Sequence, residues 1–186
     1  MTNVPINIEP YNPDWPLRFQ TLKYFMNVQL GTLLREVHHI GSTAVPGLCA
    51  KPVIDIDIVL KYHSDLLLAI DKLNESGYLY KGEMGITGRH AFLAMDCEIK
   101  FSHHLYICDP NSEAFRNHIC LRNFLRNNAE VRKQYGKLKQ QLAKSSNDDM
   151  NAYVQGKTAF ITRILAEAGF GDSALDLIRK ENTFDT

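Results

Sequence analysis

The chain is expected to fold as an α+β domain, and three observations lead there. Segments with strand character lie before about residue 110, whereas from Ser112 onward the apolar residues recur only at helical spacing. In the first stretch Ile54-Asp55-Ile56-Asp57-Ile58 alternates strictly, so a strand sends its isoleucines to one face and both aspartates to the other. Strands first and helices after, with no internal repeat and no low-complexity linker, describe α+β. The 186 residues suffice for one domain with a sizeable core. We expect a single domain over 1–186, its sheet-based core over about 1–110 and a helical part over about 112–170.

The elements follow in order. Asp14 reads as an N-cap with Pro16 early in the helix it starts, and Phe19, Leu22, Phe25, Met26, Leu30, Leu33 and Leu34 continue that helix. Val37 to Ile40 forms a short strand leading into Gly41-Ser42, Pro46-Gly47 marks a loop, and Val53 to Leu60 is a buried strand. Ser64 caps a helix through Leu73 that stops near Gly77. Tyr78 to Tyr80, Ala91 to Met95 and His104 to Cys108 read as strands. The loop Lys81 to His90, with three glycines, is a candidate mobile element. One helix then runs from Ser112 to about Arg126, a second carries Val131, Tyr135, Leu138 and Leu142, and a third spans about Asp149 to Ala168. Gly169 and Gly171 end it, and the last dozen residues are expected to be loosely held.

Composition narrows the function. Lys+Arg and Asp+Glu both number 21, so no global charge draws the chain to nucleic acid or an anionic membrane. Nothing approaches the length of a membrane span, and the N-terminus lacks a basic-then-apolar signal. The four cysteines form no Cys-x-x-Cys pair. A cytoplasmic protein with reduced thiols and no membrane partner is the expectation.

Two carboxylates side by side repel each other, and a divalent cation is a good reason to hold them together. Asp55 and Asp57 are therefore candidate metal ligands; the plainer reading is a solvated strand face. Gly41-Ser42 upstream offers small residues and backbone N–H groups at a turn, which suits phosphate.

This pairing of a Gly-Ser turn with an Asp-x-Asp strand resembles the signature of the nucleotidyltransferase superfamily, the fold of DNA polymerase β. The chain is more closely similar to one branch, the GrpB family. The resemblance runs through Pro10-Tyr11-Asn12-Pro13-Asp14-Trp15-Pro16, His39-Ile40-Gly41-Ser42-Thr43-Ala44-Val45-Pro46-Gly47-Leu48 and Lys51-Pro52-Val53-Ile54-Asp55-Ile56. It continues in Gly77-Tyr78, Gly88-Arg89, His103-His104-Leu105, Phe115-Arg116-Asn117-His118, and Tyr153 with Gly156-Lys157-Thr158. The resemblance implies a mixed sheet and a site for Mg²⁺, or Mn²⁺ in its place, with a nucleoside triphosphate. Gly41, Ser42 and Thr43 would bind phosphate, with Lys51 and Arg89 as basic partners; Asp55 and Asp57 would be catalytic and hold the metal.

The superfamily adds a third carboxylate from a neighbouring strand, where this chain has His103-His104-Leu105-Tyr106. The GrpB pattern carries His-Leu-His there, so Tyr106 replaces the second histidine. His104 shares a face with Tyr106 and is a candidate third ligand or general base, or else part of a polar wall. Tyr153 and Lys157, four apart on one helical face, could cover the cleft. Gly156-Lys157-Thr158 is no P-loop, because position 151 is Asn151 and the segment reads as helix. Cys97, His103, His104 and Cys108 fit no standard zinc spacing. The basic residues between Arg116 and Lys144 read mostly as a solvated helix face, with an RNA or polyphosphate partner left open.

The expected activity is transfer of a nucleoside monophosphate to an unidentified acceptor. The alternative is a nucleotide-binding or adaptor module without transfer chemistry. The family's occurrence fused to dephospho-CoA kinase adds a conceivable link to coenzyme A metabolism.

Overall fold

The computed structural model describes residues 5–183. Its centre is a five-stranded sheet in the order β1-β2-β5-β4-β3. These strands are β1 Leu34–Ile40, β2 Ile54–Leu60, β3 Tyr78–Tyr80, β4 Arg89–Ala94 and β5 His103–Cys108. β2 and β5 pair in parallel; every other pairing is antiparallel. The sheet is therefore mixed, in an α+β arrangement.

Alternation in β2 decides which face is covered by what. Ile54, Ile56 and Ile58 are all 0% exposed and pack with Trp15, Phe19, Leu22, Met26 and Leu30 of helix α1 (Trp15–Leu30) and with Ala69, Ile70 and Leu73 of α2 (Leu66–Glu75). Each such buried aliphatic side chain contributes about 1.5–3 kcal/mol relative to exposure. A one-residue slip of β2 would drive Asp55 and Asp57 into this core, so the apolar face fixes the register.

The helical half comprises α3 Glu113–Asn127, α4 Ala129–Ser145, α5 Met150–Glu167 and α6 Asp172–Glu181. Ser112 caps α3, its hydroxyl oxygen accepting from the Phe115 N–H at 3.2 Å, and the Asp149 carboxylate caps α5 through the Asn151 and Ala152 N–H groups. These helices close on a second cluster around Val45, Leu48, Leu125, Tyr135 and Ile164.

The structure corrects four expectations. Helix α1 ends at Leu30, where Gly31 at φ 52° breaks it; Leu33 lies in a 3₁₀ turn, Gly31–Leu33, and Leu34 opens β1. The Asp14 side chain caps nothing; the Asn12 carboxamide oxygen instead accepts from the Asp14 N–H at 2.8 Å and orders the entry to α1. Ser64 lies inside a short 3₁₀ turn, His63–Asp65, and α2 starts after it. The C-terminal segment is not loose up to Thr183. Leu175 and Ile178 of α6 bury against Leu165 of α5; the last three residues, 184–186, lie outside the described residues.

Candidate functional site

On the sheet face opposite α1, pairing sets the neighbours. Asp55 faces Ile40 on β1 and His104 on β5; Asp57 faces His38 and Tyr106. The His104 Nδ1 lies 2.7 Å from Asp55 Oδ1, and the His118 Nδ1, from α3, lies 2.8 Å from Asp57 Oδ2. Each aspartate thus holds an imidazole. The two environments differ sharply. The Asp55 side chain keeps 26% exposure, whereas Asp57 is 0% exposed and its Oδ1 accepts from no N–H or O–H group among the described residues. Cys108 lies beside Asp57; burial first, then the Asp57 charge, pushes its thiol well above the ordinary range.

The turn before β2 is held from both sides. Gly41 takes φ 68° and ψ −169°, a conformation essentially confined to glycine. The Thr43 hydroxyl, 1% exposed, donates to the Val53 carbonyl at 3.2 Å. His39 Nε2 then donates to Thr43 Oγ1 at 3.0 Å while the ring stacks on Phe19. Burial pushes His39 down to about 4, against the pull of Asp55, so it is neutral at pH 7. From α3, Arg122 donates to the His39 carbonyl at 2.9 Å, and Arg126 donates twice to the Ala44 carbonyl at 2.9 and 2.7 Å. These charge-assisted bonds clamp the turn to the helical half.

A cleft opens over Asp55 in two lobes that share Ser42, Asp55 and Lys157. One lobe, about 370 Å³, is basic, with Lys51, Lys139 and Lys157 on its walls beside Tyr153 and His104. The other, about 270 Å³, mixes apolar Leu121, Leu125, Tyr135 and Ile161 with Asn117, His118 and Arg122. Burial lowers all three lysines, with Asp55 opposing it: Lys139 to about 7, Lys157 to about 8, and Lys51 in the same direction. Lys139 donates to the Cys49 carbonyl, and Lys157 Nζ sits 4.2 Å over the Tyr153 ring. A cleft with desolvated cations and one half-exposed carboxylate suits a polyanion.

A family model described as GrpB protein matches residues 5–167. The chain belongs to the GrpB family. Among relatives, the UPF0157 protein YqkA of Bacillus subtilis is 33% identical over 156 residues, 84% of this chain and 45% of YqkA. The chain therefore spans less than half the length of that relative. The glutamate-rich protein GrpB of Alkalihalophilus pseudofirmus is 29% identical over 84% of this chain and 92% of its own. A crystal structure of conserved protein GrpB from Enterococcus faecalis, 33% identical, superposes with a TM-score of 0.76 over 91% of this chain and 98% of that one.

Several residues singled out from the GrpB resemblance gather at the cleft: Gly41, Ser42, Lys51, Asp55, His104, Tyr153 and Lys157. Three do not. Asp57 is on the expected face but covered by His118, so the two aspartates do not open together on the cleft. Thr43 lines the basic lobe, yet its hydroxyl is committed to Val53 and His39. Arg89 lines neither lobe; its guanidinium stacks 4.6 Å from the Tyr106 ring.

The basic face is solvated for the most part, with Arg116, Lys133, Lys137 and Lys144 exposed, but not throughout. Arg122, Arg126 and Lys139 turn inward onto backbone carbonyls, as does Arg132 onto those of Leu125 and Arg126. Sequence reasoning missed the part played by His118, although the Phe115-Arg116-Asn117-His118 motif carried it. No described helix is long and apolar enough to cross a membrane.

Proposed function

We propose that this GrpB-family chain is a divalent-metal-dependent nucleotidyltransferase that moves a nucleoside monophosphate from a nucleoside triphosphate onto an acceptor hydroxyl. The observation that carries the reading is the junction of the two lobes at Ser42, Asp55 and Lys157. Lys51, Lys139 and Lys157 hold the phosphates in the basic lobe, and the lobe around Tyr135 and Leu121 receives the nucleoside. Asp55 and Asp57 would hold Mg²⁺, or Mn²⁺; two carboxylates on one strand face suit a hard cation, with Asp55 as the ligand that opens on the cleft. Such an ion offsets the charge that develops on the transferring phosphoryl group. The His104 Nδ1–H donates to Asp55, which leaves Nε2 free to take the acceptor's proton. The acceptor oxygen bonds to the α-phosphorus, the α–β bridge breaks, and pyrophosphate leaves.

The test is pyrophosphate release across the four nucleoside triphosphates with pooled acceptors, beside calorimetric nucleotide binding with and without Mg²⁺. Release that is lost in Asp55→Asn supports transfer. Equal nucleotide affinity in wild type and Asp55→Asn, with and without the metal, would sink the reading.

A second reading, a nucleotide-binding module without transfer, has one observation in its favour. His104 stands directly across from Asp55, where the superfamily resemblance puts a third acid. It predicts tight binding and no release with any acceptor.

A further inference from the structure

We infer that Asp57, Cys108 and His118 form a site for a thiophilic divalent ion of the zinc class, set beneath the cleft. One ligand atom from each lies within 4.8 Å of the others. An ion with bonds of about 2.3 Å to sulfur and about 2.0–2.2 Å to nitrogen and oxygen would draw these atoms closer together by small side-chain shifts. Three elements converge to make it. Asp57 and Tyr106 are partners across β2 and β5, Cys108 is two residues beyond Tyr106 on the same face, and α3 brings His118 down onto it.

An independent observation points to a ligand. Asp57 is wholly buried, and its Oδ1 accepts from no N–H or O–H group among the described residues; the Cys108 thiol is the polar neighbour its carboxylate has besides His118. A buried carboxylate oxygen left to a weak thiol donor is costly for a fold to carry, and a cation against Oδ1 removes that cost. The donor set then selects the ion, because a thiolate and an imidazole favour zinc-like metals over Mg²⁺. His118 also lines the mixed lobe of the cleft, which gives an entry path. Binding replaces the thiol proton of Cys108, which is released to solvent, and requires the metal-facing nitrogen of His118 to be unprotonated. The inference stands apart from the transfer reading, which centres on Asp55 and a hard cation. Asp57 is the residue the two would share.

The full chain, freed of metal with a chelator, is titrated with Co²⁺ as a spectroscopic probe. One equivalent should bind with a thiolate-to-cobalt charge-transfer absorption that Zn²⁺ abolishes and excess Mg²⁺ does not. Cys108→Ser should lose the band. His118→Ala should weaken binding by about tenfold or more, the scale on which even a ligand's outer partners matter. Asp55→Asn should keep the band while impairing Mg²⁺-dependent nucleotide binding, so the two readings fail separately. Absence of the band in the wild type, its survival in Cys108→Ser, or its displacement by Mg²⁺ overturns the inference. Should Cys108→Ser not fold, an unchanged band and affinity in His118→Ala does the same.

Discussion

Gly41 lies against the Asp55 carboxylate: a Cβ built on the glycine would come 2.2 Å from Oδ2. The turn and the acid are therefore one steric unit. A side chain at position 41 must displace either the carboxylate or the backbone that leads into Ser42.

Gly41→Ala should accordingly lower stability by about 1–3 kcal/mol, from the strained backbone angle plus the clash. It should also abolish nucleotide binding, although no polar group is removed. Urea denaturation gives the first quantity and calorimetry the second. A Gly41→Ala protein that binds nucleotide as wild type does would detach the turn from the site.

The cleft lysines predict proton uptake on binding. Lys157, lowered to about 8, and Lys139, to about 7, are partly or largely uncharged at pH 8. A polyphosphate favours their charged forms, so protons must enter with it. Calorimetry at pH 8 in two buffers of different ionisation enthalpy should show net uptake, reduced in Lys157→Met. Identical apparent enthalpies in both buffers would count against phosphate in this lobe.

Lys139 also gives stability a pH dependence of known sign. Its folded pKa of about 7 lies below the ordinary value of 10.5. Between those limits the unfolded chain binds the additional proton, so the free energy of unfolding rises with pH; below pH 7 both states are protonated and the burial cost is borne in full. Lys157 adds the same slope above about pH 8. Stability at pH 9 should exceed that at pH 7 by on the order of 2–4 kcal/mol, and Lys139→Met should flatten the rise. Denaturant midpoints across that range measure it.

His104 separates transfer from binding. His104→Ala should end pyrophosphate release yet leave nucleotide affinity within about threefold, since the three lysines of the basic lobe remain. His104→Asp places a carboxylate opposite Asp55 and should raise Mg²⁺ affinity through its added charge. If His104→Ala releases pyrophosphate at the wild-type rate, the residue is only part of the wall.

Strict alternation in Ile54–Ile58 made both the apolar face and the aspartate face legible, and the Gly41 turn was legible because only glycine fits it. What lay over the aspartates was not. Alternation says that Asp55 and Asp57 share a face; it cannot say that His118 covers one and leaves the other half-open. The inward turn of Arg122 and Arg126 was hidden for a related reason. Their partners are carbonyls of the turn, 83 and 82 residues away, and a backbone acceptor leaves no mark on composition. Helix α6 escaped because two glycines precede it and only a short apolar stripe, Leu175 and Ile178, docks it.

The parallel pairing of β2 with β5 sets the order in which this protein can acquire its site. Asp55 meets His104 across 49 residues and Asp57 meets His118 across 61. Loop closure over such spans must precede any reward from the contacts. A hairpin of β1 and β2 presents two adjacent, repelling carboxylates with nothing to hold them. Their partners arrive only when β5 and α3 dock. The charged face is thus a late-forming feature, and a destabilised α3 should erase the cleft while the α1-covered side of the sheet persists.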